Sequence, residues 1–164
     1  MPLKSTLERA ETNYTAMNYL LLLGKHLKDE AVIEILELED IKVWYEFDRL
    51  HENTPDVYWT ESKEKGVQFR FDSNQMLDVI FLYAANLDGF SPVSRENCDI
   101  PFFSTIKEAE TYGNKGLARL KRGKPTEFLG ILREWVKLDF GNYSLHYEFR
   151  PQGLALITVK TAET

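Results

Sequence analysis

Alternation of apolar and polar residues dominates the second half of the chain and predicts β-strands with one buried face. In residues 67–71 and 143–150 every second residue is aliphatic or aromatic, while the residues between them are polar. Residues 77–84 have apolar residues on both faces, which indicates a strand in the middle of the sheet. The run Asp-Ser-Asn at 72–74 has turn chemistry, so we expect 67–71 and 77–84 to form an antiparallel hairpin.

Shorter runs predict the remaining strands. Residues 135–140 and 154–160 flank the alternating run in the last third of the chain, joined to it by a Gly-Asn pair and by a Pro-Gln-Gly turn. Such connections between alternating runs are typical of hairpins. Residues 43–47 and 57–60 predict two more strands. The successive hairpins indicate an antiparallel sheet.

Spacings of three and four between apolar residues predict two helices before the sheet. The first covers residues 6–24 and is expected to stop at Gly24. The second covers residues 29–38, with Asp29 as its N-cap. Its buried stripe is expected to consist of Val32, Ile35 and Leu36. Because these helices precede the hairpins, we predict an α+β fold in which N-terminal helices pack on an antiparallel sheet.

A short third helix is predicted at residues 105–112, since Thr105 and Glu108 have the spacing of a capping box. Gly113 is expected to end it. The segment that follows, residues 115–124, is punctuated by glycine and is predicted to be a loop. It carries five cations: Lys115, Arg119, Lys121, Arg122 and Lys124.

Composition indicates one globular domain. The chain has 164 residues, of which 43% are apolar, and its longest apolar runs are far shorter than a membrane span. We expect a helical part at 1–40 and a sheet part at 41–164. A single cysteine and three scattered histidines argue against a disulfide framework and a structural zinc site, so no cofactor is expected. We expect a cytoplasmic protein without a membrane partner; its oligomeric state is left open.

Charge is concentrated in the first third of the chain. Residues 1–60 hold 12 acidic and 6 basic side chains, whereas residues 61–164 hold 14 of each. Phosphate backbones repel an acidic protein, so direct nucleic-acid binding is not expected. On a helix at 29–38, Glu30, Glu34 and Glu37 would share one face and repel one another. A cationic partner would relieve that repulsion.

Motifs for catalysis are scarce. His146 shares a strand face with Ser144 and Glu148, and a histidine beside a glutamate is a common arrangement for proton transfer. The polar side of any half-solvated strand would explain the same residues. Cys98 has acidic neighbours in the sequence, which raise the pKa of a thiol and disfavour a nucleophilic role.

Five short segments resemble a pattern found in small bacterial toxin-immunity proteins. They are KGVQFRF at 65–71, VIFLY at 79–83, DGF at 88–90, IPF at 100–102 and the helix ending Tyr-Gly at 112–113. The closing hairpins continue the resemblance, which covers about residues 65–160. One departure is that a proline often follows the helix-ending glycine in such proteins, whereas Asn114 and Lys115 stand here. The resemblance implies a cytoplasmic protein that binds and neutralises one cognate toxin and has no catalytic residues.

Many toxins act on nucleic acids and have basic active sites, which an acidic helix would complement. The predicted contact residues are Glu30, Glu34, Glu37 and Asp40, with Glu39 and Asp48 at the rim. Two alternatives stay open. One is a small-molecule enzyme that uses the face of His146 and Glu148, and the other is a structural or scaffold subunit that pairs through a sheet edge or an aromatic patch.

Overall fold

The computed structural model describes residues 17–38, 42–46, 55–96 and 98–162, and shows an α+β fold built mainly from an antiparallel sheet. The helices are α1 (Tyr19–Leu22), α2 (Glu30–Leu38) and α3 (Ile106–Lys115). The strands are β1 (Val43–Glu46), β2 (Val57–Ser62), β3 (Val67–Phe71), β4 (Leu77–Tyr83), β5 (Arg119–Arg122), β6 (Thr126–Phe128), β7 (Ile131–Asp139), β8 (Tyr143–Arg150) and β9 (Gly153–Thr161).

The sheet consists of two antiparallel meanders that meet at β4 and β9. Eight strands pair in the order β1-β2-β3-β4-β9-β8-β7-β5, and β6 pairs with β7 beyond the end of β5. At the junction, Ile80 pairs with Val159 and Leu82 pairs with Ile157. All four side chains are fully buried in the core. The sheet face that carries them is called the inner face below, and the opposite face the outer face.

β3 and β4 form the predicted hairpin, and the predicted bounds of β3 are confirmed. The carboxylate of Asp72 closes the turn by accepting the N–H groups of Asn74 at 2.9 Å and Met76 at 3.0 Å. The register shifts after Arg70, which brings Arg70 beside Asp78. Two hydrogen bonds of 3.1 and 2.6 Å join these side chains. Such a bidentate pair favours one register over its alternatives.

The segment after α1 is hydrogen-bonded to the β3–β4 hairpin. Gly24 donates its N–H to the carbonyl of Leu77 at 2.7 Å, and Leu77 donates to the carbonyl of Lys25 at 2.8 Å. Gly24 has φ +85°, a backbone conformation that glycine adopts without strain, so the chain turns there as predicted. The predicted helical residues 6–16 lie outside the described residues. At 17–18 the helix prediction is wrong, because Met17 forms a β-bridge with Cys98 and Asn18 caps the start of α1.

The second predicted helix is confirmed as α2. The carboxylate of Asp29 accepts the N–H of Ala31 at 3.0 Å, as an N-cap does. Val32 is buried in the core, and Ile35 and Leu36 pack against that core while half-buried. Among the described residues, no helix is long and apolar enough to span a membrane.

Ring stacking and hydrogen bonds to other elements hold the long connection at 86–103. Phe90 stacks on Tyr83 with 3.9 Å between ring centroids. The two carboxylate oxygens of Asp99 accept the first two N–H groups of α1, each at 2.9 Å. The hydroxyl of Tyr147 on β8 donates to the carbonyl of Pro101 at 2.8 Å. Burial raises the pKa of Tyr147, so this hydroxyl remains a donor at ordinary pH.

α3 is longer than predicted. Thr105 caps it as expected, but the helix continues through Gly113 and ends at Gly116. The prediction that Gly113 ends the helix is therefore wrong. Gly113 lies against the inner face of the sheet, where a Cβ atom would stand 2.7 Å from Leu120 Cδ2 and 2.9 Å from Leu138 Cδ2. The glycine therefore allows α3 to approach the sheet closely.

The prediction of a loop at 115–124 is wrong at Lys115, which ends α3, and at residues 119–122, which form β5. This strand pairs with β7, and ion pairs hold two of its cations: Arg119 with Asp139 at 2.9 Å, and Arg122 with Glu110 of α3 at 3.1 Å. The run Arg-Leu-Lys-Arg shows no alternation, so its strand conformation comes from pairing with β7. Its charges suit an edge strand, since they discourage pairing with other chains.

The closing meander extends further than predicted. β8 matches the predicted residues 143–150, and β9 gains one residue at each end. β7 begins at residue 131 instead of 135, because residues 131–133 pair with β6, a strand of three residues that the sequence pattern did not indicate.

Gly66 is the glycine least able to accept a side chain. It has φ +72°, and a Cβ atom there would overlap the carbonyl of Ser91 and stand 2.6 Å from the N atom of Val93, both backbone groups. Gly141 also has positive φ, but its Cβ would meet nothing within 4 Å.

We expect Gly141→Ala to cost about 1–2 kcal/mol of unfolding free energy, the strain of a left-handed residue. Gly66→Ala should cost clearly more, measured by urea unfolding, and equal losses would contradict the described packing of residues 91–93.

Candidate functional site

The acidic face of α2 has the exposure that the sequence predicted. Glu30, Glu34 and Glu37 are all exposed, while Val32 on the other side of the helix is buried. Residues three or four apart on a helix have Cβ atoms about 5–6 Å apart, so the three carboxylates are neighbours. Within the described part of the chain, none of them forms an ion pair. Asp40, Glu39 and Asp48 lie outside the described residues.

The cations that the structure describes near α2 in the sequence do not pair with its acidic face. Lys25 pairs with Asp29 at 3.7 Å, at the start of the helix, and Asp29 is not on the acidic face. A concentration of like charge on a surface raises the local potential. Within the described residues, the acidic face is therefore a local concentration of negative charge.

The second candidate, around His146, lies on the outer face of the sheet. The imidazole stacks on the indole of Trp135, with 5.0 Å between ring centroids and an angle of 25°. Lys137 and Thr158 are its cross-strand neighbours. The indole has space to lie flat because the residue beside it is Gly123, where a Cβ atom would overlap the ring. The imidazole of His146 is thus packed on one side by the indole of Trp135.

His146 and Glu148, the pair that the enzyme alternative would use, are not hydrogen-bonded to each other in this structure. Glu148 accepts a hydrogen bond of 3.3 Å from Nε of Arg150, two residues further along the strand. Burial lowers the pKa of His146, Lys137 lowers it further, and the charge of Glu148 opposes both. His146 is consequently neutral at neutral pH. A catalytic role of the outer face stays an untested alternative.

Among the described residues, neither the Cys98 thiol nor a group of metal ligands forms a further candidate site. Burial raises the pKa of the Cys98 thiol, and the charge of Asp99 adds to the effect, as the acidic neighbours predicted. Among the residues that the structure describes, no three His, Cys, Asp or Glu side chains are grouped so as to hold a metal ion.

A third surface was not anticipated from the sequence. Residues 126–133, called the ribbon below, comprise β6, a two-residue turn and the first three residues of β7. Phe128 is 61% exposed, Leu129 is 85% exposed, and Ile131 and Leu132 are exposed as well. The signal in the sequence is the run Phe-Leu-Gly-Ile-Leu within a cationic stretch. It is apolar without alternation, so its exposure could not be seen from pattern alone.

Comparisons with known proteins add no relative. No family model, no curated protein and no solved structure matches this chain.

The lowered pKa of His146 predicts a specific pH dependence of stability. Above about pH 6.5 the imidazole is neutral in both the folded and the unfolded chain. Below that pH the unfolded chain binds the proton more readily, so the free energy of unfolding falls as pH falls. In urea titrations from pH 7.5 to 5, the wild type should lose stability relative to His146→Gln. Parallel curves for the two proteins would show that the imidazole is not held in its neutral form.

Proposed function

We propose that this chain is a non-catalytic immunity-type protein that binds a cationic toxin domain through the acidic face of α2. The observation that carries the proposal is the exposure of Glu30, Glu34 and Glu37 together on a helix whose opposite side packs on the core. Within the described residues, this helix has no cation paired to those three carboxylates.

Binding of a cationic partner would relieve the repulsion between the three glutamates of α2, which adds to the free energy of binding. Like charges three and four residues apart destabilise a helix by about 0.2–0.5 kcal/mol per pair. A cationic partner reverses the sign of that term on binding, and its attraction also steers diffusional encounter. Because α2 is anchored by its N-cap and by Val32, its surface charges are free to change without loss of the core.

The resemblance to toxin-immunity proteins also supports the proposal. The segments that carry it contain residues whose size or shape the packing of this fold requires. Gly66 leaves room for the backbone at Ser91, Phe90 stacks on Tyr83, and Gly113 allows α3 to reach the sheet. These residues maintain the scaffold, which leaves recognition to exposed side chains such as those of α2.

The test is charge reversal on α2. Glu34→Lys together with Glu37→Lys should leave the fold intact, because both side chains are exposed. The partner to be tried is the product of the gene adjacent to the one that encodes this chain, since a toxin and its immunity protein are expected to be encoded together. Its association should slow by at least about tenfold at low salt, and the difference should shrink as salt screens the charges. Stopped-flow or surface-based kinetics would measure both effects, and co-expression would show whether protection of the cell is lost.

A matched control separates the local effect from the change in net charge. Glu64→Lys together with Glu96→Lys changes the charge by the same amount at two exposed positions away from α2. This control should associate nearly as fast as the wild type. If the α2 variant matched the control and still protected cells, the contact would not be on α2. If the wild type gave no protection against the neighbouring gene product, the immunity function itself would be wrong.

A further inference from the structure

The ribbon exposes more apolar surface than the fold requires. Phe128, Leu129, Ile131 and Leu132 project from two short strands that extend past the main sheet, since β8 pairs with β7 only from Glu134 onward. Exposed apolar residues are ordinary when they are scattered singly. Here Phe128 and Ile131 pair on one face, Leu129 lies at the turn next to them, and Leu132 lies on the opposite face, so the tip of the ribbon exposes apolar side chains on both faces. A cluster of exposed apolar residues is typical of an interaction site.

The turn of the ribbon contains a leucine in an unfavourable conformation. Phe128 pairs with Ile131, and the two residues between them, Leu129 and Gly130, have φ +51° and +76°. Such two-residue hairpins favour Asn-Gly, because a residue with a Cβ is strained at positive φ. Leu129 also gains little from burial, being 85% exposed. Leu117 is likewise 91% exposed with φ +57°, so these features alone do not mark a site; Leu129 differs because it lies between Phe128 and Ile131 in the apolar ribbon.

Arg133 shows what a partner would have to supply. Its Nε atom is buried and has no hydrogen-bond partner within the described structure, and its guanidinium lies 5.9 Å from the ring centroid of Phe128. A buried donor without an acceptor is costly, so this guanidinium is not fully satisfied within the described structure. A carboxylate is the acceptor that matches a guanidinium best among protein groups.

The charge around the ribbon also favours a partner that carries carboxylates. Between positions 115 and 133 there are six cations and only one carboxylate, that of Glu127, in a protein whose net charge is −6. Arg119 and Arg122 are already paired. Within the described residues, Lys115, Lys121 and Lys124 form no ion pair. The ribbon and its flank are therefore a cationic, apolar surface.

The backbone of the ribbon also has an open side. Among the described strands, β6 has one neighbour, β7, so the other edge of β6 is not paired. An unpaired edge is a template for an added strand, which supplies backbone hydrogen bonds and places alternate side chains on one face. Thr126 and Phe128 face the same side as Arg133. A strand added to β6 would bring one side chain opposite Phe128 and another, two residues away, opposite Thr126 and within reach of Arg133.

We propose that the ribbon is a second docking site, which takes an extended segment of a partner protein as an added strand on β6. The segment carries an apolar residue against Phe128 and, two positions away, a carboxylate for Arg133. This surface is distinct from α2 and of opposite charge, so the proposal is independent of the immunity function.

Two other occupants fit the surface less well. A second copy of this chain would bring two cationic surfaces together across the same edge, and like charges repel. An anionic membrane would accept the apolar tip, but hydrocarbon offers no partner for the open backbone edge of β6. A protein strand satisfies the apolar patch, the guanidinium and the edge together.

The test uses a synthetic capped peptide with the repeat Ile-Thr-Glu-Thr, which places isoleucine and glutamate alternately on one face of a strand. We expect NMR titration to shift the amide signals of β6 and of the start of β7. A peptide with lysine in place of glutamate should bind at least tenfold more weakly. Arg133→Gln should weaken binding of the glutamate peptide about tenfold and remove most of the difference between the two peptides.

Two leucines provide a matched pair of variants. Leu129→Asn and Leu117→Asn each replace a highly exposed leucine at positive φ with a residue that tolerates that conformation. Both should fold at least as stably as the wild type. Only Leu129→Asn should weaken peptide binding, because Leu117 lies beyond the far end of β5.

The outcomes decide between occupants. Failure of the glutamate peptide to shift β6, or equal loss of binding in both leucine variants, would overturn the proposal. Binding to phosphatidylglycerol vesicles that Leu129→Asn abolishes, without peptide binding, would assign the ribbon to membranes instead. Dimers in sedimentation experiments that Leu129→Asn dissociates, again without peptide binding, would assign it to self-association.

Discussion

Backbone pairing between β4 and β9 joins residues that are far apart in the chain, with Ile80 opposite Val159. Within the described residues this is the strand pair that connects the β1–β4 meander to the β7–β9 meander. Closing so long a loop costs conformational entropy before any contact is gained. The fully buried side chains at the junction offset that cost, since they form the centre of one core shared by both meanders. Each of the other strands depends on this pairing for its place in a continuous sheet.

The continuous sheet keeps two surfaces of opposite charge apart. α2 follows a segment that is hydrogen-bonded to the β3–β4 hairpin, whereas the ribbon extends from β7 in the other meander. An acidic surface and a cationic surface on one small protein would attract each other if the chain between them were loose. The two surfaces belong to different meanders of one sheet, and both are exposed. The scaffold and the proposed recognition surfaces therefore use different residues, the first buried and the second exposed.

The sequence predicted those elements whose pattern is local. β3 and β8 alternate cleanly, and the acidic face of α2 follows from spacing along one helix. β5 could not be predicted, because Arg-Leu-Lys-Arg becomes a strand only through its partner β7. A glycine after a helical pattern usually indicates a helix end, so Gly113 was predicted to be one. Its actual role depends on tertiary packing that brings Leu138 close, which the sequence does not show. The ribbon was missed for the same reason: an apolar run is buried or exposed according to what the rest of the chain places beside it. The role of Asp40 stays a prediction.

The claim that both meanders form one cooperative unit through β4 and β9 is tested most directly by native-state hydrogen exchange on Val159→Ala. Truncating this fully buried side chain should cost about 2 kcal/mol. If the account is right, the free energy of opening falls by the same amount for the amides of β3 and of β8, because both strands open only when the shared core unfolds. A loss of protection confined to β7–β9, with β3 unchanged, would show that the meanders unfold separately and would contradict the account.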